Sequence, residues 1–382
     1  MPPTNYYVRP TNGANVAGQG TTHASAYLTT QFALDDIGGT HGRDAVNGDQ
    51  INLCDESADT LAAPLSLAIY GAPTAGAPII IRGYPVLAND GGVGEINCGG
   101  ATMWLLTTYD SIHMIELLIH SFGNNPGIYL DNDINLNRCE VHNQGGGAAG
   151  KNTVQLDAGV IVGCHLHDPG ATGVCIYCTQ VGGIAAIGNY IEVSGASSGI
   201  YTANAIGSIF TKNIITCSHT SDIGIDCTGT GPQHAIGNII YSSVANTQFG
   251  IRSGNAANRW LYSVVNNIVC GFSGVGGTGI VTAGHIGWRG YNAFWNNTAN
   301  YTAGAKVFVD DSANDVALGA DPFVNAAGGN FALTDVAKAA LRSAGWPSSY
   351  LGASTDPHIT IGVVQYGEAG APVAGGRKYV FW

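Results

Sequence analysis

A repeat of about twenty-five residues runs through the middle of the chain and limits the folds that it can adopt. One position of the repeat is Asn or Cys, and it recurs at Cys139, Cys164, Asn189, Asn213, Asn238, Asn267 and Asn292. The successive spacings are 25, 25, 24, 25, 29 and 25 residues. A second position is glycine, at Gly127, Gly173, Gly199, Gly224, Gly250 and Gly279. Both series lengthen at the same step, so they mark one structural unit.

The repeated unit is too short to bury a hydrophobic face by itself, so copies of it have to stack on one another. Strand-like apolar runs occur at, for example, Ile187–Val193, Ile236–Ser242 and Val265–Cys270, and turn-forming residues separate them. The repeats contain no amphipathic helical pattern, which excludes a doubly wound sheet and a TIM barrel. The pattern predicts an all-β coil of short parallel strands; a β-sandwich with evenly spaced strands is the alternative.

Stacking gives the recurring residues a role. Equivalent positions on successive laps of such a coil lie about 4.8 Å apart. At that spacing each Asn side chain can hydrogen-bond to the Asn above and below it, and Asn also tolerates a left-handed bend. The repeated glycines are predicted to supply a positive φ at a second corner of each lap.

Charged residues form only 10% of the chain, against about 25% in ordinary soluble domains. The net charge is −12 and there is no basic patch, which argues against nucleic acid as a partner. Sparse charge is expected where sister subunits or a larger assembly cover the surface. It is equally expected in a β-coil of small residues that needs few charges.

The sequence carries no signal peptide pattern, because Met1–Pro10 has no basic region followed by an apolar segment. No apolar stretch reaches the roughly 18 residues that a membrane span requires, so no membrane insertion is predicted. The nine cysteines are an odd number, and several fall beside the repeat strands. They are predicted to be reduced, buried thiols of a protein that folds in the cytoplasm.

The chain is predicted to have four segments. Residues 1–60 form an N-terminal cap with entry strands, and Tyr27–Ile37 has the apolar spacing of a short helix. Such a helix would cover the open end of the coil and block edge pairing. Residues 61–310 form the parallel β-helix, residues 311–366 a closing segment, and residues 367–382 an extended arm.

Short motifs mark both ends of the coil: Tyr6–Val8, Gly48–Ile51, Ile80–Tyr84, Asp321–Val324 and Asp356–Gly362. They resemble the entry and closing segments of the pectate-lyase-like group of right-handed parallel β-helix proteins. The resemblance implies a right-handed single-stranded parallel β-helix with an N-terminal helical cap and an extended C-terminal arm. The group contains lyases, hydrolases, epimerases, phage tailspikes and structural rods, so the likeness alone fixes no activity.

The resemblance also implies what an active member needs. Lyases of this fold usually hold Ca²⁺ in a cluster of Asp or Glu beside an Arg or Lys base. Asp131 and Asp157 are 26 residues apart with Asp133 nearby, so these three are a candidate Ca²⁺ site; a solvated face is the alternative. No other cofactor is predicted. The sequence lacks the Arg-x-Lys element of the hydrolases, which counts against a pectinase-type enzyme.

A second candidate centre combines histidines with carboxylates. His165 and His167 lie on the same side of one predicted strand. Glu140 precedes His165 by 25 residues, Glu192 follows His167 by 25, and Asp168 is adjacent. These five residues are a candidate acid–base group. The alternative is an ordinary polar outer surface.

Two further groups are candidate contact residues. Arg259 and Trp260, in the 29-residue lap, are predicted to stack on a sugar ring or a partner protein, unless the Trp packs back on the coil. The arm is predicted to dock on a neighbouring subunit, or else to fold back over its own coil. Its candidate docking residues are Arg377, Tyr379, Phe381 and Trp382.

Two functional hypotheses follow. The first is a non-catalytic bacteriophage virion protein, tailspike-like or decorating the capsid, assembled in the host cytoplasm. Its partners would be other virion proteins, sister subunits of a homo-oligomer and surface glycans. The second is a polysaccharide lyase or glycoside hydrolase that uses the acid–base group around His165.

Overall fold

The protein is described by a computed structural model. The described residues are 4–37, 49–55, 57–62, 65, 78–84, 93–98, 112–120, 128–130, 134–142, 152–167, 172–178, 182–203, 207–229, 231–253, 260–282, 284–302, 306–341 and 344. The chain divides into two compact units, Met1–Ile184 and Ala185–Trp382.

The described part of the first unit consists of short strands, a 3₁₀ turn and one α-helix. The strands are β1 Asn5–Val8, β2 Gln50–Cys54, β3 Asp59–Thr60, β4 Ile79–Tyr84, β5 Gly94–Asn97, β6 Ile112–Ile115, β7 Leu117–His120, β8 Ile128–Leu130, β9 Ile134–Asn137, β10 Glu140–His142, β11 Val154–Leu156, β12 Gly159–Val162, β13 His165–His167 and β14 Val174–Cys178. The helices are the 3₁₀ turn His23–Ser25 and α1 Thr30–Ile37.

These strands form three parallel sheets. The first has the order β1-β2-β4-β6-β9-β12, the second β3-β5-β7-β10-β13, and the third β8-β11-β14. Each lap of the chain adds one strand to a sheet, and each strand pairs with its equivalent on the next lap, as β9 does with β12. This is the predicted coil of parallel strands.

The second unit repeats the arrangement and adds a closing segment. Its strands are β15 Ile184–Ile187, which starts at the last residue of the first unit, β16 Tyr190–Val193, β17 Ser198–Thr202, β18 Ser208–Thr211, β19 Ile214–Cys217, β20 Ile223–Cys227, β21 Pro232–Ile236, β22 Ile239–Ser242, β23 Phe249–Ser253, β24 Trp260–Val265, β25 Ile268–Cys270, β26 Thr278–Thr282, β27 His285–Gly290, β28 Ala293–Trp295, β29 Ala299–Tyr301, β30 Lys306–Asp311, β31 Val316–Ala317, β32 Phe323–Asn325 and β33 Asn330–Leu333. The helices are the 3₁₀ turns Ser312–Asn314 and Ala326–Gly328, and α2 Asp335–Leu341.

Within the second unit the parallel sheets run β15-β18-β21-β24-β27-β30, β16-β19-β22-β25-β28-β31 and β17-β20-β23-β26-β29, and β32 pairs with β33 antiparallel. Phe323, Phe331 and Leu333 of the antiparallel pair form one buried cluster with Ile239 and Ile268 of the coil. The closing segment therefore covers apolar side chains of the coil in this unit.

The repeated asparagines of the second unit form a single column. The Nδ2 atom of Asn189 lies 2.9 Å from Oδ1 of Asn213, and the same contact runs from Asn213 to Asn238 (2.9 Å). It continues to Asn267 (3.0 Å) and Asn292 (3.1 Å). All five side chains are buried. The prediction of stacked laps is confirmed, and the β-sandwich alternative is excluded.

The left-handed residue at each of these corners is the one before the Asn, as at Lys212 (φ 56°), Gly237 (φ 67°) and Tyr291 (φ 57°). The prediction that the column Asn itself takes the bend is therefore wrong. The physical reason is that the Asn keeps its backbone in the bonding between laps. The Ile214 N–H, for example, donates to the Asn189 carbonyl at 2.8 Å.

The repeated glycines do not form corners. Gly199, Gly224, Gly250 and Gly279 lie inside strands β17, β20, β23 and β26, and none has a positive φ. A Cβ atom on Gly224 would lie 2.5 Å from the Gly250 carbonyl oxygen, too close for a real contact. The predicted corner role is wrong, and the glycines instead let neighbouring backbone and side chains approach. Gly127 lies outside the described residues.

The predicted N-terminal helix is present as α1, which buries Ala33, Leu34 and Ile37. It is fixed by two polar contacts: the buried Tyr27 hydroxyl donates to the Asp36 carboxylate, and the Thr30 N–H donates to Asp59 at 2.7 Å. Neither described helix is long and apolar enough to cross a membrane. All nine cysteines are buried thiols.

Candidate active site

The candidate acid–base group of the first unit lies on its second sheet, where β10 and β13 run in parallel register. Glu140 stands opposite His165 and His142 stands opposite His167. Val141 lies between Glu140 and His142 on β10, and its side chain is buried in the core. Because side chains alternate along a strand, the Glu and His side chains project from the opposite face of the sheet to Val141.

One carboxylate oxygen joins the two histidines of β13. Oε1 of Glu140 lies 3.2 Å from Nε2 of His167 and 3.8 Å from Nδ1 of His165. The two imidazole rings lie 4.3 Å apart between centroids. The donor atoms of all three side chains fall within 4.8 Å of one another. We call these three residues the Glu–His cluster.

A column of histidines extends from this cluster along the sheet. The ring of His142 stacks on that of His167 at 4.5 Å and on that of His120 at 5.5 Å, with 11° between the ring planes in both cases. Nε2 of His120 lies 2.6 Å from Oε1 of Glu95. Among the described residues of the first unit, Glu–His contacts therefore occur on different laps and are linked by stacked rings.

Burial and charge set the state of Glu140. Its side chain is 34% exposed, whereas those of His165 and His167 are 5% and 14% exposed. The hydrogen bond from His167 lowers the pKa of Glu140. Partial burial opposes this shift, and the positive charge on His165 adds to it. Glu140 is therefore ionised near neutral pH and serves as an acceptor, base or ligand.

Two arginines and a glutamate form ion pairs at the corner that precedes β10. The Glu116 carboxylate lies between two guanidinium groups, with Nη2 of Arg82 at 2.9 Å and Nη2 of Arg138 at 2.7 Å. Both arginines are about half exposed. Arg138 precedes Glu140 by two residues, and its guanidinium is held at this corner by Glu116.

Three of the five predicted acid–base residues, Glu140, His165 and His167, come together. Asp168 lies outside the described residues. Glu192 belongs to β16 of the second unit, where it pairs with Thr216. The sequence analysis missed three members of the column: Glu95, His120 and His142. Their signal was the lap length, because Glu95 and His120 are 25 residues apart, as are His142 and His167.

The other predicted sites fall largely outside the described residues. Asp131, Asp133 and Arg259 lie outside them, as do the arm residues Arg377, Tyr379, Phe381 and Trp382. Asp157 is buried beside β11. The Trp260 backbone begins β24, in register with Pro232 and His285. The Ca²⁺ site and the two contact surfaces stay predictions.

Comparisons with known proteins bear on the fold. No family model matches the chain, and no curated protein matches it. Among solved structures, pectate lyase Pel9A is similar over 95% of this chain and 96% of its own, with 12% identity and a TM-score of 0.53. The fold is a right-handed parallel β-helix. This confirms the predicted fold class, while an identity this low fixes no activity.

Two further structures are similar at TM-scores of 0.46. The GH136 lacto-N-biosidase from Eubacterium ramulus has 11% identity and matches 82% of this chain and 68% of its own. A mannuronic acid specific polysaccharide family 6 lyase from human gut microbiota has 11% identity and matches 81% and 78%.

Proposed function

We propose that the chain is a polysaccharide lyase that acts on an acidic polysaccharide, with the Glu–His cluster as its reactive centre. One observation carries the proposal: a single oxygen of ionised Glu140 contacts two imidazoles. A glycoside hydrolase of the same fold is the other enzymatic reading. It requires two carboxylates flanking one bond.

The chemistry needs few groups. In β-elimination at a uronate, a base removes the proton from the carbon next to the carboxylate. The electron pair forms a double bond as the glycosidic oxygen leaves and takes up a proton. An imidazole of the cluster suits the base role, because Glu140 stabilises the imidazolium that forms. Arg138 suits the neutralisation of the uronate carboxylate.

A pocket in the same unit supports a glycan ligand. It has a volume of about 300 Å³ and is lined by Asn5, Tyr7, Gln50, Asn52, Arg82, Gly83 and Tyr84. Aromatic rings, amides and a guanidinium are groups that contact sugars through stacking and hydrogen bonds. Arg82 connects this pocket to the corner, because the same side chain binds Glu116.

The test is a panel of uronate-rich and neutral polysaccharides. We expect unsaturated products, detected by their ultraviolet absorbance, from the acidic polymers, and at least about a hundredfold loss of rate in Glu140→Gln. His113→Ala is the matched control, because this histidine lies on the first sheet, bonded to Asn135. Reducing ends without unsaturation would indicate a hydrolase. Absence of any cleavage across the panel would refute the enzymatic proposal.

The hypothesis of a virion structural protein gains no support from the comparisons. The similar structures named above are two lyases and a lacto-N-biosidase. Its main candidate feature, the C-terminal arm, lies outside the described residues. The virion role stays a prediction.

A further inference from the structure

We propose that Glu140, His165 and His167 form a binding site for one divalent transition-metal ion, Zn²⁺ in particular. The three side chains supply one carboxylate oxygen and two imidazole nitrogens. Binding of the ion is independent of sugar cleavage, whereas any role of the ion in turnover rests on the proposed function.

The distances between donor atoms fit such an ion. Zn²⁺ binds these ligands at about 2.0–2.2 Å, so the donors of a tetrahedral site lie roughly 3.3–3.6 Å from one another. Oε1 of Glu140 is 3.2 Å from the His167 donor and 3.8 Å from the His165 donor. No pair exceeds 4.8 Å. The rings of His165 and His167 are stacked with 28° between their planes, so both must turn to point their lone pairs at one ion.

The scaffold holds the ligands in place. Glu140 and His165 are register partners on paired strands, and His167 follows on the same strand as His165. Val141 and Leu166 anchor the two strands in the core. Sites built on paired strands are positioned more accurately than sites on loops.

The donor set selects the ion. Two imidazoles and a carboxylate suit Zn²⁺ and its first-row neighbours, whereas Ca²⁺ and Mg²⁺ prefer oxygen donors. Three protein ligands leave at least one open position, which is the arrangement of reactive rather than structural zinc sites. Glu140 is about one third exposed, so solvent or a sugar carboxylate can reach that position.

The neighbouring groups provide internal controls. The Glu95–His120 contact offers two donors 2.6 Å apart, so it lacks the third ligand of the cluster. His142 stacks on His167 but is not one of the three ligands. An imidazole that binds the ion cannot act as the base of the proposed elimination, so added Zn²⁺ should slow cleavage. His142→Ala should keep Zn²⁺ affinity, because His142 is not a ligand.

The experiment uses the full chain after chelator treatment and dialysis. Calorimetric titration with ZnCl₂ should show one site per chain, with CaCl₂ and MgCl₂ giving no comparable heat. Co²⁺ should produce the visible absorption of a low-coordinate site with nitrogen ligands. His167→Ala and Glu140→Ala should each lower Zn²⁺ affinity on the order of 100-fold or more, since even outer-shell changes cost 10–100-fold. His113→Ala and His120→Ala should bind like wild type.

The outcomes separate the two proposals. Absence of a stoichiometric Zn²⁺ site in the wild-type chain would overturn the metal site whatever the variants do. Zn²⁺ affinity that survives in folded His165→Ala and His167→Ala variants, checked by circular dichroism, would overturn it as well and point to the thiols. Cleavage by a protein that binds no metal would leave the lyase standing. Metal binding without cleavage of any polysaccharide would leave the site standing and refute the lyase.

Discussion

The backbone N–H of Asn292 donates to Oδ1 of Asp315 at 2.8 Å, the contact that Asn267 makes to Asn292 one lap earlier at 3.0 Å. Asp315 therefore takes the next place in the asparagine column. The Tyr301 hydroxyl donates to its other oxygen at 2.6 Å. Burial nevertheless raises the pKa of Asp315 to about 6, because the carboxylate loses solvation.

Asp315→Asn should stabilise the protein near pH 7. The raised pKa means that the folded state favours the protonated carboxyl, so its stabilising contribution is complete below about pH 4 and is lost as the pH rises through about 6. An amide carries no charge. Allowing for partial exposure, we expect a gain of about 1–2 kcal/mol near pH 7 and little change near pH 4. Denaturant unfolding at both pH values measures this; a larger gain at the lower pH would contradict it.

Asn213→Ala should destabilise the protein by about 2–4 kcal/mol. The Asn213 side chain accepts from the backbone and Nδ2 of Asn189 and donates to Asn238 and to the Ala186 carbonyl. Removing the side chain leaves these buried polar groups without a hydrogen-bond partner. Thermal unfolding is the measurement, with exposed Asn300→Ala as control. Equal effects of the two substitutions would show that the column contributes nothing specific.

Gly224→Ala should cost about 1–3 kcal/mol by overpacking. The added methyl would lie 2.5 Å from both the Gly250 carbonyl oxygen and Cγ2 of Ile240. Gly319→Ala is the matched control, because a methyl there has open space around it. The free energy of unfolding should fall in Gly224→Ala and stay unchanged in Gly319→Ala. An unchanged value for Gly224→Ala would mean that the neighbouring strands move apart without strain.

Arg138→Ala should weaken action on acidic polysaccharides about tenfold at low salt, since a charge-assisted hydrogen bond is worth about 1.5–3 kcal/mol. The half-exposed ion pair with Glu116 contributes little to folding, so stability should change by less than about 1 kcal/mol. Rate measurements at increasing ionic strength should show the difference shrinking. Lys306→Ala, on an exposed residue of β30, is the control; an equal loss there would indicate a general charge effect.

The fold was predictable because every lap repeats the same geometry. The spacing of Asn189, Asn213 and Asn238 required them to stack, and they do. The backbone of these corners was not predictable, since Lys212 and Tyr291 are residue types that give no sign of a positive φ. Tertiary packing imposes that conformation. Asp315 was not predicted as a member of the column, because the repeated position was defined as Asn or Cys.

The candidate site was partly predictable. The 25-residue spacing joined Glu140 to His165, which is a register pair in the structure. The lap from His120 to His142 has only 22 residues, so a search at a fixed period passes over it. The sharing of one Glu140 oxygen by two rings depends on side-chain rotation, which spacing does not encode.

The lap from Asn238 to Asn267 is four residues longer than the 25-residue lap that follows it, yet the column crosses it with a contact of 3.0 Å. The four extra residues therefore do not change the register of the next lap. An insertion at that point leaves the rest of the spiral in register. Peptides or new recognition loops can be grafted there, and natural variation in length can accumulate there, while the scaffold stays the same.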